Sequence, residues 1–149
     1  MFGESDILWS EEFEVDPEGK KVLVFCCSDG RFVNKTHKFV EDHLVVKNFN
    51  FIAVPGAIHF LVSKLLKASW IAKQWVKFFA DHHGTNRVII IHHQDCGWYK
   101  FLHNSEHYRK DIFDRQKEDD EKAKNSFKPG VAESYFLSFD ETSVKVQKM

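Results

Sequence analysis

Two short stretches, far apart in the chain, carry residue types able to grip a metal ion. One is Cys26-Cys27-Ser28-Asp29-Gly30-Arg31 and the other His93-Gln94-Asp95-Cys96-Gly97. Thiolate and imidazole hold zinc well, and three protein ligands leave a fourth position for water. Cys27, His93 and Cys96 therefore read as one zinc site, with His93 and Cys96 on a single turn and Cys27 brought to them by the fold. Asp29 is a competing fourth ligand. Arg31, two residues on, can hold that carboxylate in a bidentate pair and keep it off the metal. An aspartate paired in this way stays ionised and can accept a hydrogen bond from water. An open zinc position brings the pKa of water toward neutral. The set describes chemistry that puts hydroxide onto a small electrophile.

Both stretches follow short apolar runs. Lys20-Lys21-Val22-Leu23-Val24-Phe25 leads into the first, and Arg87-Val88-Ile89-Ile90-Ile91-His92 into the second. Runs of this kind read as buried strands. If they lie parallel, both loops emerge at the carboxyl edge of one sheet, where open α/β sheets bind ligands. Between them, Phe51-Ile52-Ala53-Val54 reads as a further strand, stopped by Pro55-Gly56.

The intervening segments have helical spacing. Phe32, Phe39, Val40 and Leu44 define a helix over 32–46, with His37 and His43 on its surface. A long helix is expected over 58–82, with Leu61, Leu65, Leu66, Trp70, Ile71, Trp75, Val76, Phe78 and Phe79 forming so broad an apolar surface that more than one side is expected to be covered, by the core with a subunit interface or by the core alone. His82 and His83 fall in its last turn and Gly84 is its stop. Residues 105–126, with Arg109, Lys110, Asp111, Asp114, Arg115, Lys117, Glu118, Asp119, Asp120 and Glu121, read as a largely solvated helix. The stretch 134–146 around Asp140-Glu141-Thr142 reads as a hairpin or bent edge strand. The alternation predicts a single α/β domain: a central, mainly parallel sheet flanked by helices, with an antiparallel edge strand near the C-terminus.

Composition narrows the function classes. The 149 residues include 15 phenylalanines and are 43% hydrophobic, which predicts one folded domain with a good core. The net charge of −1 favours neither nucleic acid nor an anionic membrane. No apolar window is long enough to span a bilayer. Three cysteines, two of them adjacent, make a poor disulfide framework, so a reducing cytoplasmic setting is the expectation. Adjacent strand residues face opposite ways, which sends Cys26 to the core and Cys27 to the loops. Residues 1–19 form an acidic arm before the domain at 20–149. Its Ile7, Leu8, Trp9 and Phe13 are candidates to anchor it on the domain or on a second subunit.

The two motifs resemble those of the β-class carbonic anhydrases. Cys27-Ser28-Asp29-Gly30-Arg31 is similar to that family's Cys-x-Asp-x-Arg loop, and His93-Gln94-Asp95-Cys96-Gly97 to its His-x-x-Cys-Gly turn. The resemblance implies a zinc site at Cys27, His93 and Cys96, an Asp29–Arg31 dyad, and reversible hydration of carbon dioxide to bicarbonate. It also implies a homodimer or higher homo-oligomer as the working unit. Some relatives let the aspartate bind zinc in an inactive state, which would make Asp29 a switch.

The chain departs from the family at several places. Ala53-Val54 stand where Arg-Asn is common, His92 where a glycine usually precedes the ligand histidine, and Gly30 where serine is favoured. The Cys27-to-His93 interval is longer than usual, with the added length expected in the 58–84 helix. Alternative readings keep the site but change its use: hydrolysis of carbonyl sulfide or carbon disulfide, or a non-catalytic zinc-binding module. The proton-transfer group is open among nine histidines, Tyr99 and solvent.

Overall fold

All five residues of Val22-Leu23-Val24-Phe25-Cys26 are buried, although strand residues alternate between faces. Only a central strand covered on both sides accommodates that. The computed structural model describes residues 8–103 and 111–149. Within them this segment is β1 (Val22–Cys26), and β2 (Asn50–Ala53), β3 (Arg87–His93), β4 (Ala132–Phe139) and β5 (Val144–Lys148) join it in one sheet of order β2-β1-β3-β4-β5. Neighbours run parallel except β4 and β5, which form an antiparallel hairpin at the edge. This is the α/β architecture expected.

Period-two alternation divides the core. Val22, Val24, Cys26, Ile89 and Ile91 pack with Phe32, Val40 and Val46 on one face. Leu23, Phe25, Val88 and Ile90 pack with Ile58, Leu61, Ala72 and Ala123 on the other. Full burial of such aliphatic and aromatic side chains contributes about 1.5–3 kcal/mol each. The two strands that deliver the site residues are therefore anchored by their own burial. Cys26 lies in the core, as expected, and burial pushes its thiol up to about 12.

Helices cover the sheet. α1 (Val33–Lys38) runs on into a wide turn at Phe39–His43, where Leu44 N–H reaches the Phe39 carbonyl. α2 (His59–Val62), α3 (Leu66–His83), α4 (Gly97–His103) and α5 (Ile112–Lys124) complete the set. No described helix is long and apolar enough to cross a membrane. His37 does more than sit on the surface: it packs against Phe49 and Phe51, with ring centroids 5.0 and 4.2 Å away.

Two sequence expectations change. The single helix over 58–82 is two, because Ser63 and Leu65 are extended and the Ser63 hydroxyl accepts the Leu65 N–H at 3.1 Å, a local bond that competes with the helix. Within this chain Trp75, Val76 and Phe79 pack on the core, while Leu65, Trp70, Ile71 and Phe78 are exposed. Finally, α5 is not simply solvated. Gln116, Asp120 and Ala123 are buried along its inner face, at the i, i+4, i+7 spacing of a packed stripe. Leu8 (98%), Trp9 and Phe13 are exposed and do not anchor the arm on the domain, whereas the Asp16 N–H donates to Asn48 Oδ1 at 2.9 Å. Ile7, Arg109 and Lys110 lie outside the described residues.

Gly84 ends α3 as expected, in a left-handed conformation with its N–H on the Ala80 carbonyl. Asp140 builds the terminal hairpin turn by accepting hydrogen bonds from the Thr142 and Ser143 backbone N–H groups.

Candidate metal centre

Parallel register places the two motifs side by side. Cys26 at the end of β1 pairs with Ile91 of β3, so the next residue, Cys27, leaves the sheet beside the last turn of β3. His93 is the final residue of β3, paired with Leu137 of β4. Gln94 and Asp95 then turn the chain, and Cys96 immediately precedes α4. The turn is fixed at both ends: Gln94 N–H donates to the Leu137 carbonyl at 2.8 Å and Phe139 N–H to Gln94 Oε1 at 3.2 Å. Asp95 takes a left-handed φ of 60° to close it.

The fold brings Cys27, His93 and Cys96 together, their ligand atoms within 4.8 Å of one another and all three residues buried. The two sulfurs are 3.8 Å apart. His93 Nδ1 lies 2.7 Å from the Gln94 carbonyl, which places the Nδ1 proton there and leaves Nε2 as the free lone pair. That Nε2 is buried with no hydrogen-bond partner. A buried polar atom without a partner is costly, and here it faces two thiols. The donor set thus fits a metal ion, and its soft sulfur and imidazole character suits zinc.

Neighbouring groups hold the ligands in place. The His93 ring stacks on Phe32 at 4.3 Å, and its carbonyl accepts from Gln116 Nε2 at 3.0 Å. Gly56 N–H points at Cys27 Sγ, 3.4 Å away. The Cys96 thiol, His93 and the Gly56 and Asp29 backbone N–H groups together outweigh burial and hold the Cys27 thiol well below its ordinary range. Cys96 is pushed up, first by its bond to Cys27 and then by burial. The contact between the two sulfurs thus makes Cys27 the more acidic and Cys96 the less acidic of the pair.

Asp29 and Arg31 lie beside the cluster as an ion pair. Arg31 Nη2 is 2.7 Å from Asp29 Oδ2, and the guanidinium holds this carboxyl down to about 2. The guanidinium also lies near the Phe32 and Phe139 rings, 5.4 and 5.7 Å from their centroids, and Asp95 at 3.7 Å. Asp95 in turn pairs with Lys100.

Several residues that shape this region were not legible as such in the sequence. Tyr99 is a core residue packed against Cys27 and Cys96, with its hydroxyl donating to Asp119. His59 reaches the same carboxylate. His92 is buried against Asp120, which also accepts from Ser134 and Lys124. The usable signal was the spacing of Gln116, Asp120 and Ala123 within a stretch whose density of charge suggested solvent.

A family model described as "Putative carbonic anhydrase" matches residues 17–118. An uncharacterized protein of Rickettsia conorii is 25% identical over 81 residues, 54% of this chain and 44% of the relative. Another, from Rickettsia bellii, is 27% identical over 81 residues, 54% of this chain and 49% of the relative. These alignments span about half the length of the curated relatives. No solved structure matches.

Proposed function

The chain belongs to this carbonic anhydrase family, and from that premise we propose that it is a zinc enzyme interconverting carbon dioxide and bicarbonate. One observation carries the reading. Two thiols and the unpartnered Nε2 of His93 converge within 4.8 Å, beside a carboxylate already claimed by an arginine. Cys27, His93 and Cys96 would hold the ion, which when bound supplies Lewis-acid activation of water at neutral pH.

The chain's own residues do the rest. Arg31 keeps Asp29 ionised and turned toward the guanidinium, so the carboxylate is available to accept a hydrogen bond from the attacking water and orient its lone pair. Phe32 keeps the His93 ring from rotating, and the Gln94 carbonyl fixes its tautomer. Phe32 and Trp98 give the surroundings an apolar character suited to a small uncharged substrate.

The test is stopped-flow carbon dioxide hydration from about pH 6.5 to 9, on protein of confirmed zinc content. A rate well above buffer that rises with pH and is lost in Cys96→Ser is the expected result. No rate at any pH would overturn the assignment.

The same reading includes a homo-oligomer. Trp70, Ile71 and Phe78 leave apolar surface on α3, Leu65 is exposed just before it, and Trp9 and Phe13 are exposed as well. Patches of this kind mark association surfaces. Sedimentation velocity should give a dimer or larger species, shifted toward monomer by Trp70→Lys with Phe78→Lys.

A further inference from the structure

Behind the metal-ligand cluster, one carboxylate oxygen ties three helices together. Asp119 on α5 places its Oδ2 2.7 Å from His59 Nδ1 on α2 and 2.8 Å from the Tyr99 hydroxyl on α4. Both partners donate to the same atom, so the three side chains cannot shift independently. Burial alone would raise the Asp119 carboxyl, yet these two donors hold it below its ordinary value and keep it an acceptor.

Both arms of this clamp lead to the ligand sulfurs. Through Tyr99 it reaches the cysteines directly, because the tyrosine is buried in one cluster with Cys96 and Cys27, in the first turn of the helix that follows Cys96. Through His59 it reaches the Cys27 side. The His59 ring meets Trp98 edge-on at 6.2 Å and Tyr99 at 5.6 Å. Trp98 Cδ1 sits where a Cβ on Gly56 would fall, 2.2 Å away, so the indole packs directly on the Gly56 backbone. Gly56 N–H then points at Cys27 Sγ.

We infer that Asp119 is a positioning residue for the metal centre, setting the approach of Cys27 and Cys96 through His59 and Tyr99. The inference rests on the zinc-site reading above. It goes beyond the ligands and the Asp29–Arg31 pair, and it assigns a task to a charge in a helix whose composition suggests solvent. Asp119 also lies just past the family-matched segment. Groups that orient metal ligands typically change metal affinity about 10–100-fold when removed.

The test compares wild-type protein with Asp119→Asn, Asp119→Ala and Tyr99→Phe, well below their melting temperatures. Zinc Kd is read by chelator competition, and the thiolate-to-metal charge-transfer band is read on the cobalt-substituted protein. Asparagine keeps an acceptor of the same shape, so Asp119→Asn should stay within about threefold of wild-type Kd. Asp119→Ala should weaken zinc about 10–100-fold and shift the cobalt band. Tyr99→Phe keeps the ring and removes only the hydroxyl, so a smaller change in the same direction is expected. That variant carries the test if the alanine protein does not fold.

Wild-type Kd and band in both Asp119→Ala and Tyr99→Phe would overturn the inference and leave the zinc site standing. Equal losses in the asparagine and alanine variants would also overturn it, since charge rather than geometry would then matter. If wild-type protein shows no thiolate–cobalt band, the zinc reading itself fails and the inference falls with it.

Discussion

The Arg31 guanidinium grips Asp29 through two nitrogens: Nη2 lies 2.7 Å from Oδ2, while Nε lies 3.1 and 3.2 Å from the two carboxylate oxygens. The Arg31 backbone N–H adds a fourth contact at 3.0 Å. With its carboxyl held at about 2, Asp29 stays ionised throughout the neutral range. Its titration should therefore leave no mark on a pH–rate profile from about pH 6 to 9. Arg31→Ala frees the carboxylate to turn toward the metal ligands. Carbon dioxide hydration should fall about 100-fold or more, within the range usual for a positioned proton-handling group. X-ray absorption at the zinc edge should show an added oxygen ligand in that variant. Unchanged rate and coordination would show that Arg31 is not the latch.

Gly56 and Gly30 offer a matched pair of substitutions. Gly56 has φ of 75° and sits under Trp98, so a Cβ there meets the indole at 2.2 Å. Gly30 has open space around the same added atom. Gly56→Ala should cost about 1–3 kcal/mol, from overpacking plus a left-handed backbone that alanine resists. It should weaken zinc binding too, because Gly56 N–H points at Cys27 Sγ. Gly30→Ala should stay within about 0.5 kcal/mol. Urea unfolding at neutral pH reads both, and equal effects would contradict the packing argument.

The contrast between Asp29 and Asp119 shows what a single sequence can disclose. Asp29 is legible because its partner stands two residues away and its neighbours have ligand chemistry. The strands are legible because apolar runs ending in Cys27 and His93 admit few other folds. Asp119 and Asp120 are hidden because their partners, His59, Tyr99, His92 and Ser134, come from other elements. Composition averages such residues with the exposed charges beside them. The break at Ser63 was hidden for a related reason. Apolar spacing continues across it, while a single hydroxyl-to-backbone bond decides the local geometry.

Asp120 should contribute to the acid stability of the sheet. It is buried and accepts from His92 of β3 and Ser134 of β4, which tie α5 to the sheet, and from Lys124 one turn on in α5. Burial alone would raise its carboxyl, but His92, Lys124 and Ser134 together prevail and hold it below the ordinary 3.8. A depressed carboxyl stabilises the fold fully above the unfolded-state value, and the gain disappears as pH falls through the folded-state value. Wild-type stability should therefore decline below about pH 4. Asp120→Asn should cost about 2 kcal/mol at pH 7, below the usual range for a broken buried pair because Lys124 is partly solvated. The variant should also lose less stability on acidification. Parallel urea curves at pH 7 and about pH 3.5 measure both effects, and an equal acid loss in the two proteins would rule out Asp120 as a source.

The thiols give the most direct count of what a metal must displace. Cys27 and Cys96, 3.8 Å apart, titrate as a pair: Cys27 is held down chiefly by its bond with Cys96, and Cys96 is pushed up by the same bond. At pH 7.5 one thiolate should already be present, so zinc has to displace the proton of only one sulfur. Two independent thiols with ordinary values near 9 would release almost two. Calorimetry of zinc binding in buffers of different ionisation enthalpy should give about one proton released from the pair per ion. In Cys96→Ser affinity should fall sharply, since the serine hydroxyl keeps its proton and supplies no thiolate. A release near two at pH 7.5 would mean that the sulfurs titrate independently.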